Sequence, residues 1–351
     1  MTDISFEPVS DKDALAARWR RLEAVSGGGF FRGWTYLGTL LPQFTAPYLL
    51  AVTQAGQDVA LGLFNQVGSR FFLHETGRQP WDKLYVEHNG LLLRPGTAAV
   101  LPAALAAIAA RGQVVLSGID DAHLAAAAAA GDIDLRSRHF APAVAISALP
   151  DPAAPYLASL SANARSQIRR AMRLFGDTLR LEQAGTLSQA HEFFDRMVVL
   201  HQAHWQRRGQ PGAFSDPAIR MFHHALIQVG FPRGEVRLLR VATQAREVGY
   251  LYEFRHGGRA LSYQSGLASA LDARLKPGLV CHVLAIEKAR HEGAVVYDLL
   301  AGAQRYKLTL APTGGEALHW ITLYRRGSLA AYTARLRRWM RRAAGRDTAQ
   351  R

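Results

Sequence analysis

Cysteine is almost missing from this chain: Cys281 is the only one in 351 residues. That excludes an intramolecular disulfide and any cysteine-rich metal site. Cys281 falls in an apolar helical stretch, where it reads as a small buried side chain rather than a nucleophile. Long hydrophobic runs are missing too. The Ala-rich stretches Ala103–Ala110 and Leu124–Ala130 are far short of the ~20 residues a spanning helix needs. Met1–Ser10 carries Asp3 and Glu7 and has no apolar core, so it does not read as a signal peptide. These absences together predict a cytoplasmic protein of a reducing compartment with no transmembrane segment. Acidic residues are scarce as well, 28 against 42 basic ones, for a formal charge of +14. Such a balance favours anionic partners: a cofactor pyrophosphate, a tRNA or an anionic membrane surface.

The length argues for about two domains. A hydrophobic content of 49% and a charged content of 20% suit packed cores rather than disorder. The best organised stretch is Glu235–Leu310. Val236–Ala242, Val248–Arg255 and Ala260–Ala268 read as strands joined by short turns, an antiparallel meander. A loop, Leu275-Lys276-Pro277-Gly278, leads into a helix from about Leu279 to His291, stopped by Gly293, and then a strand Ala294–Leu300.

The first half echoes this order. A helix Asp11–Val25, with Leu15, Trp19 and Leu22 on one face, precedes strands at Tyr48–Thr53, Val59–Gln66 and Arg70–His74. A short strand Asn89–Arg94, a helix Val100–Ala110, a strand Val114–Ser117 and a helix Leu124–Ala130 follow. Ser26-Gly27-Gly28-Gly29 lacks a following Lys-Ser/Thr and follows no strand, so it reads as a turn rather than a phosphate loop. The first half shows no comparable cluster of polar residues at its strand ends. Two related α/β (α+β) domains are expected: 1–148, degenerate; a proline-rich linker 149–155; 156–326, catalytic; and an Arg-rich tail 327–351.

Tyr156–Phe175 reads as a helix with Arg165, Arg169, Arg170 and Arg173 clustered on it, either a solvated face or a phosphate or tRNA contact. Leu187–Arg207 and Phe214–Val229 are further helices. His191, His201 and His204 lack a metal-binding pattern, and no metal is expected. In the tail, Leu329, Tyr332, Leu336 and Trp339–Met340 share a helix face. The spacing reads first as a helix packed on its domain, and second as one lying on an anionic membrane.

Four stretches carry a family resemblance: Ser161–Arg170; His201 and Trp205 with Gly209 and Phe214; Tyr263-Gln264-Ser265-Gly266; and Tyr297–Gly302 followed by Tyr306-Lys307. Together they resemble the FemAB-like branch of the GNAT superfamily, specifically its CelD-like acetyltransferases linked to polysaccharide biosynthesis. The resemblance implies two tandem GNAT-like domains, each a mixed, mostly antiparallel sheet flanked by helices. It also implies transfer of an acyl group to an amine or hydroxyl. Where ordinary members hold the CoA pyrophosphate with a glycine-rich loop, this chain has Arg274–Val280, with Gly278 its only glycine. Lys276, Gly278 and Leu279 are the expected pyrophosphate contacts, with Arg169 and Lys307 as further anion contacts. The donor is expected to be acyl-CoA such as acetyl-CoA, with an aminoacyl-tRNA, as in the FemAB aminoacyl transferases, the alternative.

Direct acyl transfer needs a base, oxyanion donors and an acid for the leaving group. Candidate catalytic residues are Asp298, His201, Glu253 and Tyr306, the last as leaving-group acid. Trp205, Tyr263, Gln264 and Gly302 are the candidate substrate contacts. No cysteine nucleophile or Ser/His/Asp order points to a covalent intermediate. A non-catalytic protein of an envelope-polysaccharide locus is the third reading.

Overall fold

The computed structural model describes residues 1–151, 154–269, 272–302 and 304–343. Pro152 and Ala153 of the expected linker, and 344–351 of the expected tail, lie outside them. The elements run β1 (Thr2–Pro8), α1 (Lys12–Glu23), α2 (Trp34–Leu40), β2 (Pro47–Gln54), β3 (Gln57–Val67), β4 (Arg70–Leu73), β5 (Leu92–Leu93), α3 (Leu101–Ala109), β6 (Gln113–Ile119) and α4 (Asp121–Ala130). Next come β7 (Asp132–Ala145), α5 (Ala162–Phe175), β8 (Arg180–Gln183), α6 (Leu187–Gln206), α7 (Pro217–Gly230), β9 (Val236–Ala242), β10 (Glu247–His256) and β11 (Arg259–Leu267). Last are α8 (Pro277–His291), β12 (Val296–Asp298), α9 (Arg305–Leu310), β13 (Gly315–Tyr324) and α10 (Leu329–Ala343).

Two units share the chain. Met1–His139 and Ala317–Arg351 form one, and Phe140–Glu316 the other. The chain thus enters the second unit within β7, ahead of the proline-rich 149–155 segment, and leaves it within β13. The tail helix α10 belongs to the first unit.

The second unit is a mostly antiparallel sheet in the order β7-β12-β11-β10-β9-β8, with β11 and β12 as its parallel pair. Alternation along β10 decides what each face meets. Tyr250 and Tyr252 turn to the aromatic side chains of α6 and α7, whereas Leu251 joins the apolar cluster of α8 and α5. The helices begin where small polar residues can cap them: Ser161 accepts from Ala164 N–H, Thr186 from Gln189 N–H, and Asp216 from Ala218 N–H. The expected single helix Tyr156–Phe175 is therefore two pieces, a 3-10 turn Tyr156–Ser159 and α5, broken where Ser161 caps.

The first unit repeats the plan, β1-β2-β3-β4-β6-β13 with β5 beside β3, antiparallel except for β4 and β6. Its core packs α3 and α4 against the sheet through Leu101, Leu105, Ile108 and Ala127. Helix α10 attaches to this unit by Ala331, which is buried, and by Arg335 and Arg338, paired with Asp132 and Asp134. Its apolar face is not packed on the domain as the spacing first suggested. Leu329, Tyr332, Leu336, Trp339 and Met340 are all exposed, because a different side of the helix is docked.

Candidate active site

Strands β11 and β12 pair over only three positions, from Arg259↔Val296 to Leu261↔Asp298. There β12 ends while β11 runs on to Leu267, so the sheet opens into a cleft along one edge of β11. An extra residue sits in β11 at this opening: Glu253 pairs with Ser262 but Tyr252 with Gln264, which bulges Tyr263 out of register. Beyond the bulge, Ala268 N–H bonds Val248 O. Strand alternation therefore turns the amides of Ser265 and Leu267 towards the side β12 has vacated. Amides so placed can hold a donor's polar groups or a developing oxyanion. Gly266 lets this edge come close to α6, since a Cβ there would lie 2.2 Å from Met197 O.

On the α8 side of the sheet a buried polar chain lies next to the opening. Tyr297 Oη donates to Glu253 Oε1 at 2.7 Å, and Ser262 adds a hydrogen bond to the same hydroxyl. His282 Nδ1 is 3.4 Å from Tyr297 Oη, and its ring stacks on Tyr306 with centroids 5.0 Å apart. Glu253 is fully buried, and its Oε2 accepts no hydrogen bond among the described residues. Burial pushes the Glu253 carboxyl up, with the Arg255 guanidinium 3.9 Å away pulling against it. Burial likewise holds His282 neutral, with its pKa lowered to about 3 and Lys307 adding to the effect. Tyr306 is pushed up to about 12 by burial, so its hydroxyl keeps its proton at neutral pH.

Two of the expected bases are occupied. His201 Nδ1 donates to Ser265 O at 3.0 Å, and Nε2 accepts from Ala213 N–H at 3.3 Å. Both ring nitrogens are committed, and burial lowers its pKa. His201 thus holds the cleft edge of β11 to α6 and the 213 loop, with no lone pair left for an acceptor's proton. Asp298 is buried with both oxygens engaged, Oδ2 by Arg259 at 2.7 Å and Oδ1 by Leu300 N–H at 2.8 Å. A carboxylate in an apolar strand needs such partners.

The other expected residues divide between the cleft and its surroundings. Tyr263 packs at 4.7 Å on Phe254 and at 5.4 Å on His223, inside the aromatic layer beneath α6 and α7. Trp205 lies beside His201, with Arg208 over its ring. Gln264 is half-buried on the cleft strand. Lys307 Nζ donates to Leu300 O and Ala301 O at 3.0 and 2.8 Å, tying α9 to the end of β12. Gly302 has φ 141°, and a Cβ there would lie 3.1 Å from Lys307 Nζ, so only glycine suits this turn.

At the mouth of the α8 helix, Lys276 is exposed and left-handed (φ 43°), and no side chain caps the first turn. Pro277 lacks an N–H and Val280 N–H bonds Lys276 O, which leaves the amides of Gly278 and Leu279 for an anion. Arg274 is held by Asp272, and Arg169 is exposed on α5. A cavity of about 220 Å³ lies behind this loop, lined by Phe175, Arg246, Val248, Leu275 and Pro277 among others. Glu247 and Asp272 at its wall are paired with Arg196 and Arg274, and the Arg246 guanidinium lies over the Phe175 ring.

The first unit has an equivalent divergence between β4 and β6, and it is filled. Contrary to the expectation of no polar cluster there, Asn89 bridges to Ile119 and bonds His74 Nδ1 and Leu73 O at 2.8 and 3.0 Å. His123 supports the plug: its Nε2 accepts from Leu91 N–H, and its Nδ1 meets Asp120. These contacts place buried polar side chains in the gap between the two strands.

Residues 162–308 match the family model of the acetyltransferase (GNAT) domain. This segment contains β11, α8, β12 and the cleft, so the match to the GNAT domain falls on the part of the second unit that holds the opening. The whole-length fold is similar to FemX, with a TM-score of 0.61 at 10% identity, covering 93% of this chain and 100% of that one. The C-terminal domain of a protein designated a lysylphosphatidylglycerol synthetase, from Agrobacterium fabrum, aligns with a TM-score of 0.56 at 11% identity over 92% of this chain and 95% of its own. L-PGS from Bacillus licheniformis aligns at 0.55 and 14% identity, covering 95% and 97%. No curated protein matches the sequence. Tyr297, Ser262 and His282 were not among the residues expected from sequence. The lone histidine in the apolar run of α8 was the available signal for one of them.

Proposed function

We propose that the second unit transfers an acyl group from acyl-CoA to an amine or hydroxyl of a sugar, a polysaccharide precursor or a small metabolite. The acceptor attacks the thioester directly. Its nucleophile bonds to the acyl carbon, the carbon–sulfur bond breaks, and the acceptor's proton passes to a base while the thiolate takes one from an acid. The observation that carries this reading is the opening between β11 and β12, flanked by the amides of Ser265 and Leu267 and by the buried Glu253. Glu253 is the base, since His201 and Asp298 have their polar atoms engaged and Glu253 Oε2 does not. Burial raises its pKa, which makes it a stronger proton acceptor than an exposed carboxylate. Tyr306, protonated at pH 7, is the acid. Gly278, Leu279 and Lys276 receive the pyrophosphate, and Gln264 and Trp205 border the acceptor.

A second reading is favoured by one feature: Pro277 and the bonded Val280 amide leave only two free amides for a pyrophosphate, while Arg169, Arg170 and Arg173 are exposed on α5. An aminoacyl-tRNA donor fits that balance, and the similarity to proteins named for lysylphosphatidylglycerol synthesis agrees with it. Thermal unfolding with CoA, acetyl-CoA, longer acyl-CoAs and bulk tRNA, at two salt concentrations, separates the two. A ligand at about 100 times its dissociation constant stabilises by about 2.7 kcal/mol. A salt-resistant shift with an acyl-CoA supports the first reading. A shift with tRNA alone that fades with salt supports the second, and no shift with any of them removes both.

A further inference from the structure

Helix α10 leaves an apolar stripe in solvent. Leu329 is 78% exposed, Tyr332 65%, Leu336 42%, Trp339 66% and Met340 48%. At helical spacing these five side chains fall within an arc of about 100°. The side that holds α10 to its unit, marked by buried Ala331 and by Arg335 and Arg338 on Asp132 and Asp134, is centred about 125° away round the helix. The stripe is therefore not the unused edge of a packed face. It is a second face, and its composition is costly to leave in water.

The charges around it are of one sign. Arg335 borders the stripe on one side and exposed Arg337 on the other, and α10 contains no carboxylate. From Arg325 to Arg351 the sequence has nine arginines against the single Asp347. A second copy of this chain seated on the stripe by two-fold symmetry would bring these arginine borders together, which opposes it. An anionic bilayer surface satisfies both features at once. Its acyl boundary takes Leu329, Leu336 and Met340, its headgroup region suits Tyr332 and Trp339, and its phosphates meet the arginines.

We infer that α10 is a membrane-surface helix that seats this protein on anionic lipid, with its apolar stripe in the bilayer interface and Arg337 at the headgroups. This does not depend on which donor the second unit uses. It would place acyl transfer next to a lipid surface, where membrane-linked acceptors are held.

Flotation of the full chain with phosphatidylcholine vesicles, with and without phosphatidylglycerol, tests it. The protein is expected to float with the anionic vesicles only, and less so at high salt. In the double variant Leu336→Ser/Trp339→Ser the partition is expected to fall about tenfold or more, and Arg337→Glu is expected to weaken it by a smaller factor. All three positions are exposed, so unchanged melting temperatures would show that the variants remain folded. As an independent readout, the fluorescence of the wild-type chain should shift to the blue on anionic vesicles, and that shift should shrink in Trp339→Phe. Absence of flotation with any vesicle, or a double variant that floats like the wild type, overturns the proposal. So does light scattering that shows a wild-type dimer which the double variant abolishes.

Discussion

The Tyr297 hydroxyl reaches across β11 to donate to Glu253 Oε1 at 2.7 Å, joining a residue of β12 to one of β10 through the dry side of the sheet. Ser262, on the strand between them, supports the same hydroxyl. The bond fixes one carboxylate oxygen and leaves the other, Oε2, open. This is the arrangement expected of a carboxylate that is held in place yet still able to take a proton.

Glu253→Gln tests that role. The amide oxygen can still accept from Tyr297, so the fold should hold. If Glu253 is the base, kcat should fall by about 10²–10⁴-fold with donor affinity unchanged. The acidic limb of the pH–rate profile should also disappear. A variant with wild-type kcat would reduce Glu253 to a structural acid.

Gly266→Ala probes the edge of β11. Its new Cβ would lie 2.2 Å from Met197 O and 2.9 Å from Met197 C, and a helix backbone cannot turn aside as a side chain can. The strand or α6 must move, and the unfolding free energy measured in urea should drop by about 2–3 kcal/mol. Gly249→Ala on β10 is the comparison: its nearest contact is the Leu267 Cδ2 side-chain atom at 2.8 Å, so the loss should be smaller. Equal losses would mean that Gly266 is not where strand and helix are tightest.

Much of this architecture is written locally. β9 is found at Val236–Ala242, as its apolar run predicts, and α8 and α6 stand within two residues of their expected bounds. Four strands, β1, β7, β8 and β13, escaped the sequence. β1 is largely exposed, β7 mixes Asp132, Arg136 and Arg138 with Pro142, and β8 is only four residues long with no residue fully buried. None shows a clean alternation, because the sheet rather than the side-chain pattern holds each of them. The site was legible in part. Asp298 stood out as a carboxylate that needed a partner, and Arg259 is that partner. His201 had a suitable residue type, but only three-dimensional contacts reveal that backbone groups occupy both its nitrogens. Tyr297 and His282 could not be placed, since their meeting with Glu253 depends on the bulge at Tyr263 that sets the register of β10 on β11.

His282 makes the last prediction, and its sign follows from proton counting. In the fold the ring is buried and its pKa lies near 3, held down by burial first and by Lys307 second. In the unfolded chain it takes its ordinary value of about 6.5. Between those values the unfolded state binds the extra proton, so the histidine's contribution is intact above about pH 6.5 and is lost as pH falls towards 3. Other buried groups titrate in the same range: Glu75 is raised to about 7 and His223 is lowered to about 3, so the raw stability curve mixes opposite slopes. The difference between wild type and His282→Gln isolates the one group. Urea unfolding at pH 7, 6 and 5 should show the wild type losing stability relative to the variant by about 1.4 kcal/mol per pH unit below about pH 6. Curves that stay parallel would mean the ring is protonated in the fold. In that case burial would not hold His282 neutral beside the Tyr297 hydroxyl.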